Sequence, residues 1–179
     1  MFDKQYRFVG THADKVAALV GDIEAEPKTA LFDTAMRVYV TAAKVGFIYK
    51  QKGKRNNDSQ VAGFDKSIFA EQMLKIQEEC KWILRMILLL DEEYEPDKEK
   101  RLDKAFRQLG RDENDLKLFD SYVLGGVDVL YEKMIVDSSS STDLLNNVFL
   151  FIDDYNDIVN DGISSESIIA LCEAVEGKE

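Results

Sequence analysis

Residues 65–91, DKSIFAEQMLKIQEECKWILRMILLLD, constrain the fold more than any other stretch of the chain. Phe69, Met73, Ile76, Cys80, Ile83, Ile87 and Leu90 follow spacings of 4, 3, 4, 3, 4 and 3. That rhythm makes one apolar seam on an α-helix and is incompatible with strand alternation. Glu71, Lys75, Glu78, Glu79 and Lys81 fall off the seam. Glu71 and Lys75 stand in the favourable i,i+4 order. From Trp82 to Leu90 only Arg85 is polar. A helix apolar on every side must be covered on every side. The spacing therefore predicts a helix over 66–90 whose first half lies on the surface of a bundle and whose second half runs through its middle.

The rest of the chain has few features that would interrupt helices. Two prolines and ten glycines are spread over 179 residues, a length that suits one domain with a substantial core. Hydrophobic residues at 45% and charged residues at 32% fit a soluble globular protein. Apolar runs such as Met86 to Leu90 fall well short of the roughly 18 residues a membrane span needs. The start MFDKQYRF is charged and lacks an apolar core, so no signal peptide is expected. Cys80 and Cys172 both sit at apolar helix positions. They read as reduced core cysteines, which suits a cytoplasmic protein.

Taken in order, residues 1–10 read as a short aromatic arm. Thr11 reads as the N-cap of a helix over roughly 12–21, with Pro27 in the loop beyond. In 29–50, Phe32, Ala35, Met36, Tyr39, Ala42, Ala43 and Gly46 share one helical face, and the small residues permit close packing. QKGKRNNDSQVAG, 51–63, is a polar loop. Helices follow over about 96–109 and 113–136, the second capped by Asp112. Gly125 and Gly126 lie inside that second helix at roughly 1 kcal/mol each against alanine, so a kink or a closely approaching backbone is expected. DSSSSTD, 137–143, reads as a flexible linker. Helices over about 143–160 and 166–176 complete the chain. The expected architecture is all-α: a single-domain bundle of about six to eight helices around the helix 66–90. Residues 1–136 form its core, and an acidic helical pair over 144–179 packs on it.

Charge narrows the partners. The net charge is −11, and residues 137–179 hold ten acidic side chains against one lysine. Such a chain repels phosphate backbones and offers a surface to a basic partner. The one basic concentration is Lys44, Lys50, Lys52, Lys54 and Arg55. It supports a lesser alternative, contact with a nucleic acid or an acidic partner. No second basic segment or stacking aromatic inside the loop strengthens that alternative.

Catalytic patterns fail one by one. His12 is the single histidine. This removes most zinc sites and every paired-histidine scheme, including the di-iron bundle motif. His12 is expected in the first turn of its helix, partly exposed. No glycine-rich phosphate loop occurs. Aligning Gly162 with position 6 of a calcium loop puts Val159 at position 3 and Ile168 at position 12, where oxygen ligands are required, so that motif fails. No metal or cofactor is expected. A small-molecule binder or enzyme with a site near Tyr39, Gly46, Gly125 and Gly126 stands as a further alternative, and so does a homo-oligomer.

The segments FDKQYRFVGTHA, VGFIYKQK, IFAEQ, LLLDEEYEPDKEKRLDKAFR and LFDSYVLGGVDVLYEKM carry a resemblance over roughly residues 2–136. They resemble a family of small, uncharacterised all-helical bacterial proteins linked to DNA-modification and phage-defence genes. Some of its members are labelled glycoside hydrolase family 15, although that enzyme family consists of far longer chains forming a double ring of helices. The resemblance implies a helical fold and an accessory role in such a system. It establishes no catalytic or binding residue that could be carried over. The expected function is a non-enzymatic cytoplasmic protein–protein interaction module with a protein partner.

Overall fold

Glycines decide how the helices of this chain meet. The computed structural model describes residues 1–21, 30–56 and 66–162. Its elements run β1 (Tyr6–Phe8), α1 (Gly10–Val20), α2 (Ala35–Ile48), β2 (Lys66–Ile68), α3 (Ala70–Leu90), α4 (Lys98–Phe106), α5 (Glu113–Met134) and α6 (Ser141–Gly162). A Cβ on Gly126 would stand 1.8 Å from the Ala42 carbonyl oxygen, and one on Gly46 would stand 2.0 Å from the Tyr122 carbonyl oxygen. The backbones of α2 and α5 therefore touch, which only glycine permits at both crossing points. The expected close approach at Gly125 and Gly126 is present, and its partners are now visible.

The all-α bundle expected from the sequence is what forms, with one small addition. β1 and β2 pair antiparallel, Tyr6 opposite Ile68 and Phe8 opposite Lys66. Residues 66–68 thus belong to a strand, and α3 begins at Ala70. Phe69 N–H donates to Gln72 Oε1 at 3.0 Å across the start of the helix. The seam of α3 faces inward over its middle, with Met73, Ile76, Cys80, Ile83 and Ile87 buried, but not at its ends: Phe69 is the N-cap residue and 63% exposed, and Leu90 is only partly buried. Burial, with Glu79 adding to it, pushes the Cys80 thiol up to about 12, so it stays protonated and inert.

The most enclosed helix is α5. It buries twelve of its residues, from Asp115 to Met134, while α3 buries seven. The second half of α3 is not covered on all sides. Trp82 is 65% exposed and stacks on the Arg85 guanidinium at 5.0 Å. Indole emission should accordingly lie close to that of tryptophan in water and be readily quenched by acrylamide. A blue-shifted, protected emission would contradict this placement.

The helix ends use their neighbours. Asp97 accepts from Glu99 N–H, and Asp112 accepts from Asn114 N–H, each as an N-cap. At α1 the N-cap position is Val9, not Thr11, and it has no capping side chain of its own. The cap comes instead from Asn56: Thr11 N–H donates to Asn56 Oδ1 at 3.1 Å, and Asn56 Nδ2 donates to Thr11 Oγ1 at 2.9 Å. Gly10 adopts φ +61°, and a Cβ there would meet Asn56 at 2.2 Å. His12 is buried rather than partly exposed, with Nε2 3.3 Å from Asp128 Oδ1 on α5. The sequence placed it correctly in the first turn, but α5 covers that turn.

The expected linker over 137–143 is shorter in the structure. Residues 141–143 already belong to α6, and Asp143 accepts from Ser139 Oγ and Ser140 Oγ at 2.9 and 2.8 Å. The helix expected over 166–176 lies outside the described residues. Among the described residues, no helix is long and apolar enough to cross a membrane.

Candidate interaction surface

The basic segment is laid along α5 by its own backbone. Lys50 follows α2 in the left-handed region, φ +53°, and turns the chain so that Gln51 N–H reaches Gly46 O at 2.8 Å. Gly53 N–H then donates to Ser121 O at 2.8 Å. A Cβ on Gly125 would stand 2.0 Å from the Gln51 carbonyl oxygen. The spaces beside Gly46, Gly125 and Gly126 are therefore filled by neighbouring backbone.

This placement brings most of the cations onto carboxylates. Arg55 meets Asp120 through Nε and Nη2, both at 2.9 Å, and its Nη1 donates to Arg7 O at 3.0 Å. Tyr6 Oη donates to the same Asp120 at 2.5 Å. Lys52 Nζ lies 3.2 Å from Asp91, and Lys44 Nζ lies 2.7 Å from Glu79. Lys50 and Lys54 are exposed. A phosphate arriving here would have to displace carboxylates from Lys44, Lys52 and Arg55, which weakens the nucleic-acid reading.

Tyr39 is buried in an aromatic cluster, its ring centroid 4.6 Å from Tyr6 and 5.9 Å from Phe119. Burial first, then the neighbouring Cys80 and Asp120, pushes its phenol far above the ordinary range. It lines one wall of a cleft of about 390 Å³ between the first residues of the chain and α5. The carboxylate at its edge, Asp120, is already held by Arg55 and Tyr6.

Two aspartates, Asp91 buried and Asp128 partly buried, make the fold acid-sensitive. Burial works against the charge of Asp91, but hydrogen bonds from Tyr122 Oη and Tyr94 N–H and the nearby Lys52 outweigh it. Burial likewise opposes the charge of Asp128, while His12 and Lys15 outweigh it. Both carboxyls therefore sit below the usual range. A lowered value in the folded state means that the unfolded chain takes up protons first. The stabilisation is thus complete above the ordinary aspartate value of about 4 and is lost as pH falls through it and below. The melting temperature should drop steeply below about pH 4. Asp91→Asn and Asp128→Asn should each lower it near neutrality and flatten the acid limb. An unchanged acid limb in both variants would contradict the assignment.

The remaining surface belongs to α6. Its inner face holds Leu144, Val148, Phe151 and Tyr155, with Phe151 stacked on Tyr49 at 5.9 Å. Asp154 ties the helix down, accepting from Lys133 Nζ at 2.6 Å and Tyr49 Oη at 2.8 Å. Its outer side carries large apolar groups in water: Leu145 57% exposed, Phe149 66%, Leu150 68% and Ile152 46%. Leu145, Phe149 and Ile152 follow i, i+4, i+7 spacing, one stripe of a helix. Scattered exposed apolar residues need no explanation, but four large ones within eight positions form a patch. From the sequence this segment is expected as an acidic helix packing on the core, with no apolar stripe in water. The signal was available, because residues 148–152 are apolar without a break and so cannot all face one neighbour.

No family model, curated protein or solved structure matches the chain.

Proposed function

We propose that this protein is a non-enzymatic interaction module that binds a partner protein through the outer face of α6. The observation that carries the reading is the exposed stripe Leu145, Phe149 and Ile152 on a helix whose other side is fixed to the core. Aromatic side chains in solvent at helical spacing are the usual anchors of helix-in-groove recognition. The sequence resemblance supports a place for it as a cytoplasmic accessory subunit of a bacterial DNA-modification or defence assembly.

A photo-crosslinking residue placed at Phe149 in the source cell tests this. The expected result is one discrete adduct with another protein. The same residue at Arg107, 83% exposed at the C-cap of α4, should give none. No adduct at 149, or the same diffuse products at both positions, would overturn the reading. Phe149→Ala itself should change stability by no more than about 0.5 kcal/mol, because the ring is already in water.

A further inference from the structure

The outer face of α6 is not uniform along its length. Leu145, Phe149, Asp153 and Asp157 stand four residues apart and so form one row along the helix. The first half of the row is apolar and the second half acidic, and all four side chains are exposed. Two aspartates of this helix have internal duties, Asp143 with the serines before it and Asp154 with Lys133 and Tyr49. Among the described residues, Asp153 and Asp157 have no ion pair. Between Ser141 and Gly162 there is no lysine or arginine.

Resting on the reading above, we infer that the occupant of this face is a basic amphipathic helix of the partner. It would lay an apolar stripe over Leu145, Phe149 and Ile152 and set lysines or arginines against Asp153 and Asp157. Charge decides among the candidate occupants. A second copy of the chain would bring another α6 with acids and no base. Residues 163–179 hold four glutamates against one lysine. Anionic lipid surfaces and nucleic acids are repelled by the same aspartates. A cationic partner alone converts both halves of the row into favourable contacts.

Two labelled peptides test the inference on the full chain by fluorescence anisotropy. One is a helix with leucines at i, i+4 and i+7 flanked by lysines; its twin has glutamate at every lysine. The basic peptide should bind at low salt at least about tenfold more tightly than its twin, and about tenfold more weakly in 0.5 M salt. Phe149→Ala should weaken it by about fivefold or more. The double variant Asp153→Asn/Asp157→Asn should remove the preference between the twins. Equal binding of the twins, both lost in Phe149→Ala, would overturn the basic partner while leaving the face as a docking surface. Basic-peptide binding indifferent to Phe149→Ala would overturn the face itself. A dimer in sedimentation that disappears in Phe149→Ala would make the second copy the occupant and overturn the inference.

Discussion

Gly126→Ala should lower the stability of the chain by about 3 kcal/mol, and Gly126→Val should leave little folded protein. Two effects oppose each other in the alanine variant. Alanine is the better helix former by about 1 kcal/mol, so on propensity alone the change would stabilise α5. Against that, the new Cβ would lie 1.8 Å from the Ala42 carbonyl oxygen and 2.6 Å from its carbon. These are backbone atoms of α2 in the middle of a helix, so they cannot swing aside as a flexible side chain would. The two helices must separate, and a buried interface that includes Val38, Ala42, Val45, Tyr122 and Val127 loosens with them. The overpacking cost exceeds the propensity gain, and urea denaturation should show it. Asn156→Ala on exposed α6 serves as the control, expected within about 0.5 kcal/mol of the parent. A Gly126→Ala protein as stable as the parent would mean that α2 and α5 do not touch at this point.

Asp115→Ala should cost about 3 kcal/mol by a different route. Asp115 is fully buried, and its Oδ1 accepts from Tyr94 Oη and Lys104 Nζ, both at 2.7 Å. Burial, reinforced by Asp115, pushes the Tyr94 phenol up to about 12. Burial disfavours the Lys104 ammonium, but Asp115 and Asp112 more than compensate and raise its affinity for the proton. Removal of the carboxylate leaves a hydroxyl without an acceptor and a lysine that keeps only the half-exposed Asp112. Breaking a buried pair typically costs about 3–5 kcal/mol, and the surviving Asp112 contact puts this case at the low end. Lys104→Met placed on top should recover about 1 kcal/mol, because the stranded charge is gone. A loss below about 1 kcal/mol for Asp115→Ala would show that the network does not hold α4 to α5.

What the sequence made legible was local. The i+3 and i+4 spacing of Met73, Ile76, Cys80, Ile83 and Ile87 is a property of one helix, and all five are buried. Asp112 as a cap is equally local. Trp82 shows where that reasoning stops. Whether the second side of a helix is covered depends on how many neighbours reach it, and spacing carries no information on that. Thr11 was expected to cap its own helix, yet Asn56, 45 positions away, does so. Only the folded chain could show that pairing.

The candidate residues divide in the same way. Gly125 and Gly126 announced a close backbone approach, because glycine inside a helix needs a reason, but not that α2 and residues 51–53 were the backbones concerned. Lys44, Lys52 and Arg55 read as a basic cluster until the fold set Glu79, Asp91 and Asp120 against them. Those acids lie 35, 39 and 65 positions away, beyond any local pattern. The outer stripe of α6 was readable in principle, since an apolar run on a single surface helix must leave part of itself in water.

Native-state hydrogen exchange, followed residue by residue, tests most directly the claim of a rigid core that presents a separable helix. Amides of α5 between Tyr122 and Leu130, pressed against α2, should exchange only through global unfolding. Those of α6 between Leu145 and Tyr155, held by one inner face and the Asp154 ties, should exchange through a smaller opening that leaves α2 and α5 protected. Equal protection of α6 and α5, or exchange of α5 ahead of α6, would contradict the account.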